Sequence, residues 1–178
     1  MMSDILHRVD IDAKPDEAFK ALTTIEGQRG RWFSTATGSA AKGGDFKFGF
    51  CDMQVIAAEP DKLVHWRCTR GPDEWLNTEV TFRLDWKEDQ TFVVFKHAHW
   101  KEQVEFMHHC STKWATFVLS LRDLLETSDG HALGQPSDRA HNQEKSGGRS
   151  NIADVLGFAA RVPGIVFRKS VFQIPKVV

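Results

Sequence analysis

The sequence has no tyrosine, only three cysteines and no long uncharged apolar run. Without tyrosine, acid–base chemistry would depend on His, Asp, Glu, Cys or Lys. Cys51, Cys68 and Cys110 are too few and too scattered for a disulfide framework, which favours a reducing cytoplasm. No segment predicts a membrane-spanning helix. We expect no secretory signal, because no charged start precedes an apolar run and a cleavage site.

A strong net charge is also missing, since the formal charge is -1. This balance provides no basic field to favour a nucleic acid as a partner. The chain is 41% hydrophobic and 26% charged, as is usual for a globular protein. A domain of this size buries a full core without disulfides or metals. We predict one such domain over residues 1–133.

Most of the chain up to residue 100 alternates between apolar and polar residues in the way typical of β-strands. The first alternating segment, 4–12, is followed by a helix that starts at Pro15 and by a second short helix that ends near Gly27 or Gly30. After Gly43, short alternating segments follow one another, separated by turn signals. Short strands joined by short turns predict an antiparallel meander.

From about Val104 to Glu126 the apolar residues recur every three or four positions, which predicts a helix. Such a helix is about 35 Å long, enough to cross a whole sheet. Its apolar face and the inward rows of the sheet must cover each other. The predicted fold class is therefore α+β, a helix-grip arrangement in which a curved antiparallel sheet wraps around a long C-terminal helix.

Several short stretches share their order and spacing with a known family. They are Arg31-Trp32-Phe33, Gly43-Gly44-Asp45-Phe46, Leu63-Val64-His65-Trp66 and Cys110-Ser111-Thr112-Lys113-Trp114. Over about residues 3–130 the chain resembles the Activator of Hsp90 ATPase homologue 1-like branch of the SRPBCC superfamily, which includes START, Bet v 1-like and polyketide cyclase proteins. The resemblance implies a helix-grip fold around a cavity. It also implies binding of lipids, sterols, polyketides or other apolar ligands, with cyclisation or hydrolysis in a few members.

The inward rows give the residues predicted to bind such a ligand. They are Trp32, Phe46, Phe48, Phe50, Val64, Trp66, Val80, Phe82, Val93, Phe95, His97, Trp114, Phe117 and Leu121. Pockets of this kind enclose roughly 300–1,000 Å³. Arg and Asp are absent from the rows, so we expect a largely uncharged ligand with one polar end. Trp32, Trp75 and Trp100 are candidates for the pocket entrance. The alternative is that these side chains fill a solid core.

Histidines provide the candidate chemistry. His97 and His99 are two positions apart on a strand, so we expect them on the same face. His108, His109 and Cys110 begin the closing helix, and His with Cys suits Zn²⁺. Consecutive helical residues point about 100° apart, however, so we predict no metal site and no cofactor. If the protein is a cyclase or hydrolase, His97 is the favoured acid or base. The alternative is a structural histidine.

The end of the chain has a different composition. Residues 134–151 are polar and rich in Gly, Ser, Asn and Gln, which predicts a flexible linker. Residues 152–178 are apolar and basic. Seven Lys or Arg and three Asp or Glu follow position 136. This tail is too interrupted to span a bilayer, but it suits a membrane surface, a partner protein or a homodimer contact. An appendage without a role is the alternative.

Three functions follow from these expectations. The first is non-catalytic binding of an apolar small molecule. The second is an enzyme of the cyclase or hydrolase type. The third is an interaction module like the Hsp90 co-chaperone after which the family is named.

Overall fold

The structure is a computed structural model that describes residues 3–128 and 130. The predicted linker at 134–151 and the predicted tail at 152–178 lie outside the described residues. The strands are β1 (Ser3–Ile11), β2 (Thr37–Gly38), β3 (Asp45–Lys47), β4 (Asp52–Glu59), β5 (Leu63–Arg70), β6 (Glu79–Lys87) and β7 (Gln90–Trp100). The helices are α1 (Pro15–Thr23), α2 (Ile25–Arg31) and α3 (Glu105–Thr127).

The strands form a single antiparallel sheet in the order β1-β7-β6-β5-β4-β3-β2. Strands β2 to β7 pair with their neighbours in sequence, as the predicted meander requires, and β1 pairs with β7 to complete the sheet. The inward residues of β1, Ile5, Val9 and Ile11, are buried as the alternation predicts. The predicted meander is confirmed.

Helix α3 spans 23 residues and ends at Ser128, whose φ of 65° gives the left-handed cap of the helix. It packs against β1, α1 and α2. Its buried face brings the Trp114 ring to 4.6 Å from the ring of Phe95 on β7. The fold is therefore the predicted helix-grip arrangement, with one long helix lying along the sheet. None of the helices described within residues 3–128 has the length and hydropathy of a membrane-spanning segment.

In the sequence, helices α1 and α2 follow β1 and precede the meander. The two helices pack closely against each other. Glu17 accepts a hydrogen bond from the Lys14 backbone N–H at the start of α1. The Thr24 hydroxyl accepts one from the Gly27 backbone N–H, which caps α2. A Cβ at Gly27 would lie 2.1 Å from the carbonyl oxygen of Ala21, so only glycine fits there. This contact sets the orientation of α2, and α2 in turn places Arg31 and Trp32 in the interior.

The predicted strand through Phe46, Phe48 and Phe50 is shorter than expected. Strand β3 ends at Lys47, and the Phe48 backbone N–H donates a hydrogen bond to the Cys51 carbonyl across a turn. Gly49 occupies this turn with a φ of 83°. The turn leaves Phe50 half-buried, whereas Phe46 and Phe48 are buried.

Candidate functional site: an aromatic interior with a buried arginine

The residues predicted to line a cavity come together in the space between α3, α2 and the sheet. Thirteen of the fourteen are buried, and Phe50 is half-buried. Trp32 lies at the centre. Its ring centroid is 4.1 Å from that of Phe48, 4.8 Å from that of Trp114 and 5.4 Å from that of Phe117. Side chains far apart in the sequence thus form one aromatic cluster.

In this conformation the rings of the cluster touch one another. The Trp66 and Phe82 centroids, for example, are 5.2 Å apart in an edge-to-face contact. Two depressions on the described surface are lined by other residues. These are Lys14, Pro15, Asp16, Asp61 and Trp86 in one, and Asp73, Glu74, Trp100, Lys101, Glu102 and Val104 in the other. A guest therefore enters the interior only if rings or helices move apart.

The three tryptophans suggested for an entrance lie deeper than expected. Trp32 and Trp100 are almost fully buried, and Trp75 is 4% exposed. Trp75 stacks on Trp114 at 5.9 Å. Of the three, Trp100 lines a surface depression, and Trp32 is central to the cluster.

His97 sits beneath this cluster with both ring nitrogens bonded. The Trp114 indole N–H donates to Nδ1 at 2.9 Å, so Nε2 carries the proton. Nε2 donates to the Thr78 hydroxyl at 2.8 Å, and that hydroxyl donates to the Trp75 carbonyl at 2.6 Å. Burial lowers the pKa of His97 to about 3. This neutral, saturated imidazole matches the structural alternative, and an acid–base role would require breaking one of its bonds.

His99 does not share a face with His97, and that expectation is wrong. The register between β1 and β7 shifts where Ser3 pairs with Trp100 and Ile5 with His97. His99 has a φ of 69° in this bulge, so its side chain points outward and is 51% exposed. Its ring lies 3.6 Å from the carboxylate of Glu79.

The cysteines and the helix histidines do not join His97 in a reactive cluster. All three cysteines are free and buried. Burial raises the pKa of the Cys110 thiol to about 12 and that of Cys68 to about 11, which disfavours a thiolate nucleophile at neutral pH. His108 is exposed on the outer side of α3. Across residues 3–128 and 130, no three His, Cys, Asp or Glu side chains are placed to hold a metal ion.

Arg31 is the polar residue that the sequence analysis missed. It is 0% exposed, and its guanidinium carbon lies 5.3 Å from the ring centroid of Phe82. Nη2 donates to the Gln28 side-chain oxygen at 2.8 Å, whereas Nε and Nη1 have no partner among the described residues. Burial lowers its pKa to about 9. Arg31 lies outside the predicted inward rows, so the interior contains a charged residue that those rows do not include.

Two indole donors near Arg31 are also unpartnered. Its guanidinium carbon lies 5.8 Å from the Trp32 ring and 5.9 Å from the Trp66 ring. The N–H groups of both indoles are buried and have no acceptor within the described part of the chain. Buried donors in native proteins are nearly always satisfied by protein, water or ligand. The interior thus combines apolar side chains with several hydrogen-bond donors that have no acceptor among the described residues.

Comparisons with known proteins agree with this architecture. The Aha1 dimer from Colwellia psychrerythraea is similar at 41% identity over 72% of this chain and 100% of that chain, with a TM-score of 0.68. CalU16 from Micromonospora echinospora shares the fold at 24% identity, over 73% of this chain and 78% of that one, with a TM-score of 0.62. Protein MLL2253 from Mesorhizobium loti shares it at 22% identity, over 71% and 99%, with a TM-score of 0.62.

A comparison with curated proteins gives no match. The sequence profile of the family described as Activator of Hsp90 ATPase homolog 1-like protein matches residues 12–126, from the residue after β1 to the last turn of α3. The match covers well over half of the chain and includes the aromatic cluster. The chain therefore belongs to the Activator of Hsp90 ATPase homolog 1-like family, within the SRPBCC superfamily.

Proposed function

We propose that the protein binds an apolar small molecule in the interior between α3 and the sheet and catalyses no reaction on it. The observation that carries the proposal is the pair of buried, unpartnered indole N–H groups of Trp32 and Trp66 inside an otherwise apolar cluster. A guest with an apolar body and an acceptor atom complements both features. Such a guest would replace ring–ring contacts by ring–ligand contacts of the same kind.

The hydrogen bonding of His97 and the burial of the cysteines support binding over catalysis. His97 is neutral and bonded at both nitrogens. The cysteine thiols have raised pKa values. The cyclase or hydrolase alternative needs a group that accepts a proton from the ligand or donates one to it. His97 could do so only after breaking its hydrogen bond with Trp114 or with Thr78.

The test is a titration with N-phenyl-1-naphthylamine, an uncharged probe that fluoresces in apolar surroundings. We expect saturable binding to the full chain. Phe117→Ala on α3 should bind several-fold more tightly, because Phe117 is 5% exposed and packs on Trp32, so its removal opens apolar space.

Phe106→Ala is the matched control. Phe106 lies on the same helix but contacts Trp100 and His109 instead of Trp32. Its removal should leave the affinity of the probe unchanged. Absence of saturable binding to both the wild type and Phe117→Ala would refute the proposal.

Self-association is a second candidate, favoured by the relative of 41% identity that is described as a dimer. In this chain β1 is an edge strand, and Leu6 on it is 64% exposed. An exposed edge strand with an apolar side chain offers a pairing surface. We expect a dimer mass by light scattering and a monomer mass for Leu6→Lys. A monomeric wild type would exclude self-association and leave a different protein, such as a chaperone of the Hsp90 kind, as the partner to test.

A further inference from the structure

The guanidinium of Arg31 has no counter-charge in the described interior. Its carbon is surrounded by the rings of Phe82, Trp32 and Trp66 at 5.3 to 5.9 Å. These rings attract the cation through their faces, but that attraction is smaller than the cost of removing a charge from water. Burial alone accounts for the lowered pKa of Arg31. The pKa remains about 9, so the side chain still carries its charge at neutral pH.

The position of Arg31 is fixed by neighbours in its own part of the chain. Gln28 is fully buried, and its side-chain N–H donates to the Leu22 carbonyl at 2.6 Å. The Gln28 oxygen is thereby turned toward Nη2 of Arg31. One nitrogen of the guanidinium is held in place, and the two others, Nε and Nη1, present N–H groups without an acceptor. The arginine is therefore positioned in advance for an acceptor that the described chain does not supply.

We infer that the ligand of this interior is an amphipathic acid whose anionic group, a carboxylate or a chemically similar oxyanion, pairs with Arg31. This inference rests on the proposed binding function and narrows it. Arginine forms charge-assisted and often bidentate hydrogen bonds with such oxygens, and these bonds are stronger than bonds between neutral groups. The apolar body of the acid would lie against the rings of Trp32, Trp66 and Phe82. The expectation of an uncharged ligand is replaced by this one.

Two matched fluorescent probes test the inference. N-phenyl-1-naphthylamine and 8-anilinonaphthalene-1-sulfonate share the same aromatic body, and the second adds a sulfonate. For the full wild-type chain, we expect the sulfonate probe to bind about tenfold or more tightly than the neutral one. In Arg31→Met this preference should disappear while the neutral probe still binds.

Arg29→Met is the matched control. Arg29 is on the same helix and has the same charge, but it is exposed and bonds the Ala36 carbonyl outside the cluster. The preference for the sulfonate should survive this change. Equal affinity for both probes in the wild type, or an unchanged preference in Arg31→Met, would overturn the inference and leave the proposed binding function standing. Absence of neutral-probe binding to both the wild type and Phe117→Ala would instead contradict the proposed function.

A second measurement needs no variant. Dodecanoate and dodecanol, which have the same chain length, are compared as competitors for the bound neutral probe in the wild-type protein. We expect dodecanoate to displace the probe at concentrations about tenfold lower. Equal potency would overturn the inference even if Arg31→Met fails to give the near-ultraviolet circular dichroism of a folded protein.

Discussion

At the scale of single residues, two buried polar side chains, His97 and Arg31, differ in how fully their hydrogen bonds are satisfied. His97 has protein partners for both ring nitrogens, namely Thr78 just before β6 and Trp114 on α3. Arg31 has one partner and two unpartnered nitrogens. A satisfied buried group stabilises the fold, whereas an unsatisfied one costs free energy. The two residues therefore predict opposite responses to substitution.

His97→Gln should weaken the dependence of stability on pH. The ring is neutral in the folded protein, where its pKa is about 3, and its usual value is 6.5. Between these values the unfolded chain binds a proton that the folded one does not, so stability falls as pH falls. We expect the histidine to account for about 2 kcal/mol of the loss between pH 7 and pH 5.

Glutamine does not titrate in this range, yet its oxygen can accept from Trp114 and its N–H group can donate to Thr78. Urea unfolding of both proteins at pH 7 and pH 5 measures the difference. The same loss in His97→Gln as in the wild type would show that the imidazole is not buried in its neutral form.

Arg31→Met should raise the stability of the ligand-free protein. The substitution removes a buried charge without a counter-charge, and replacing even a buried ion pair by apolar side chains is often stabilising by about 1–4 kcal/mol. It also leaves the Gln28 oxygen without its partner, which offsets part of the gain. The net expectation is a gain of about 1 kcal/mol in the free energy of unfolding, measured in urea. A clear loss would mean that the charge is compensated within the protein.

At the scale of elements, the long periodic segments were predictable and the short irregular ones were not. The apolar spacing of α3 and the alternation of β6 and β7 extend over enough residues to fix type and face. The bulge at His99 depends on pairing with β1, which the alternation of one strand does not reveal. Phe50 does not continue the predicted row of buried strand residues, because the chain turns at Gly49.

Arg31 was missed for a related reason. Helix α2 has seven residues, too few for a periodic pattern, and its orientation is set by the Gly27–Ala21 contact. The sequence does place a charged residue directly before Trp32-Phe33, with Gln28 one turn earlier. This spacing is a signal that could have raised the question of a polar group directed inward.

Gly27→Ala should displace α2 and lower stability. The new Cβ would lie 2.1 Å from the backbone oxygen of Ala21, which cannot yield as a side chain can. We expect a loss of about 1–3 kcal/mol in the free energy of unfolding. Gly30→Ala is the control on the same helix, because its Cβ would meet the flexible side chain of Leu124, at 3.2 Å from its terminal carbons, and no backbone atom as close. Equal effects of the two substitutions would contradict the proposed contact between α1 and α2.

At the scale of the whole described domain, the sheet and α3 hold the aromatic cluster and α2 closes it beside Arg31. The closed packing means that ligand entry is coupled to a movement of helices or rings. Buried N–H groups without acceptors lower the stability of the folded protein when no ligand is bound. We therefore expect the guest to enter between α3 and the sheet and not to bind in either surface depression.

The most direct test follows the indole N–H signals of the six tryptophans by proton–nitrogen correlation NMR while N-phenyl-1-naphthylamine is added. We expect the Trp32 and Trp66 signals to shift or broaden until the protein is saturated. The signal of Trp86, which is 47% exposed on the outer surface, should stay in place. Shifts confined to Trp86 or Trp100, which line the surface depressions, or no shift at all, would contradict binding in the interior.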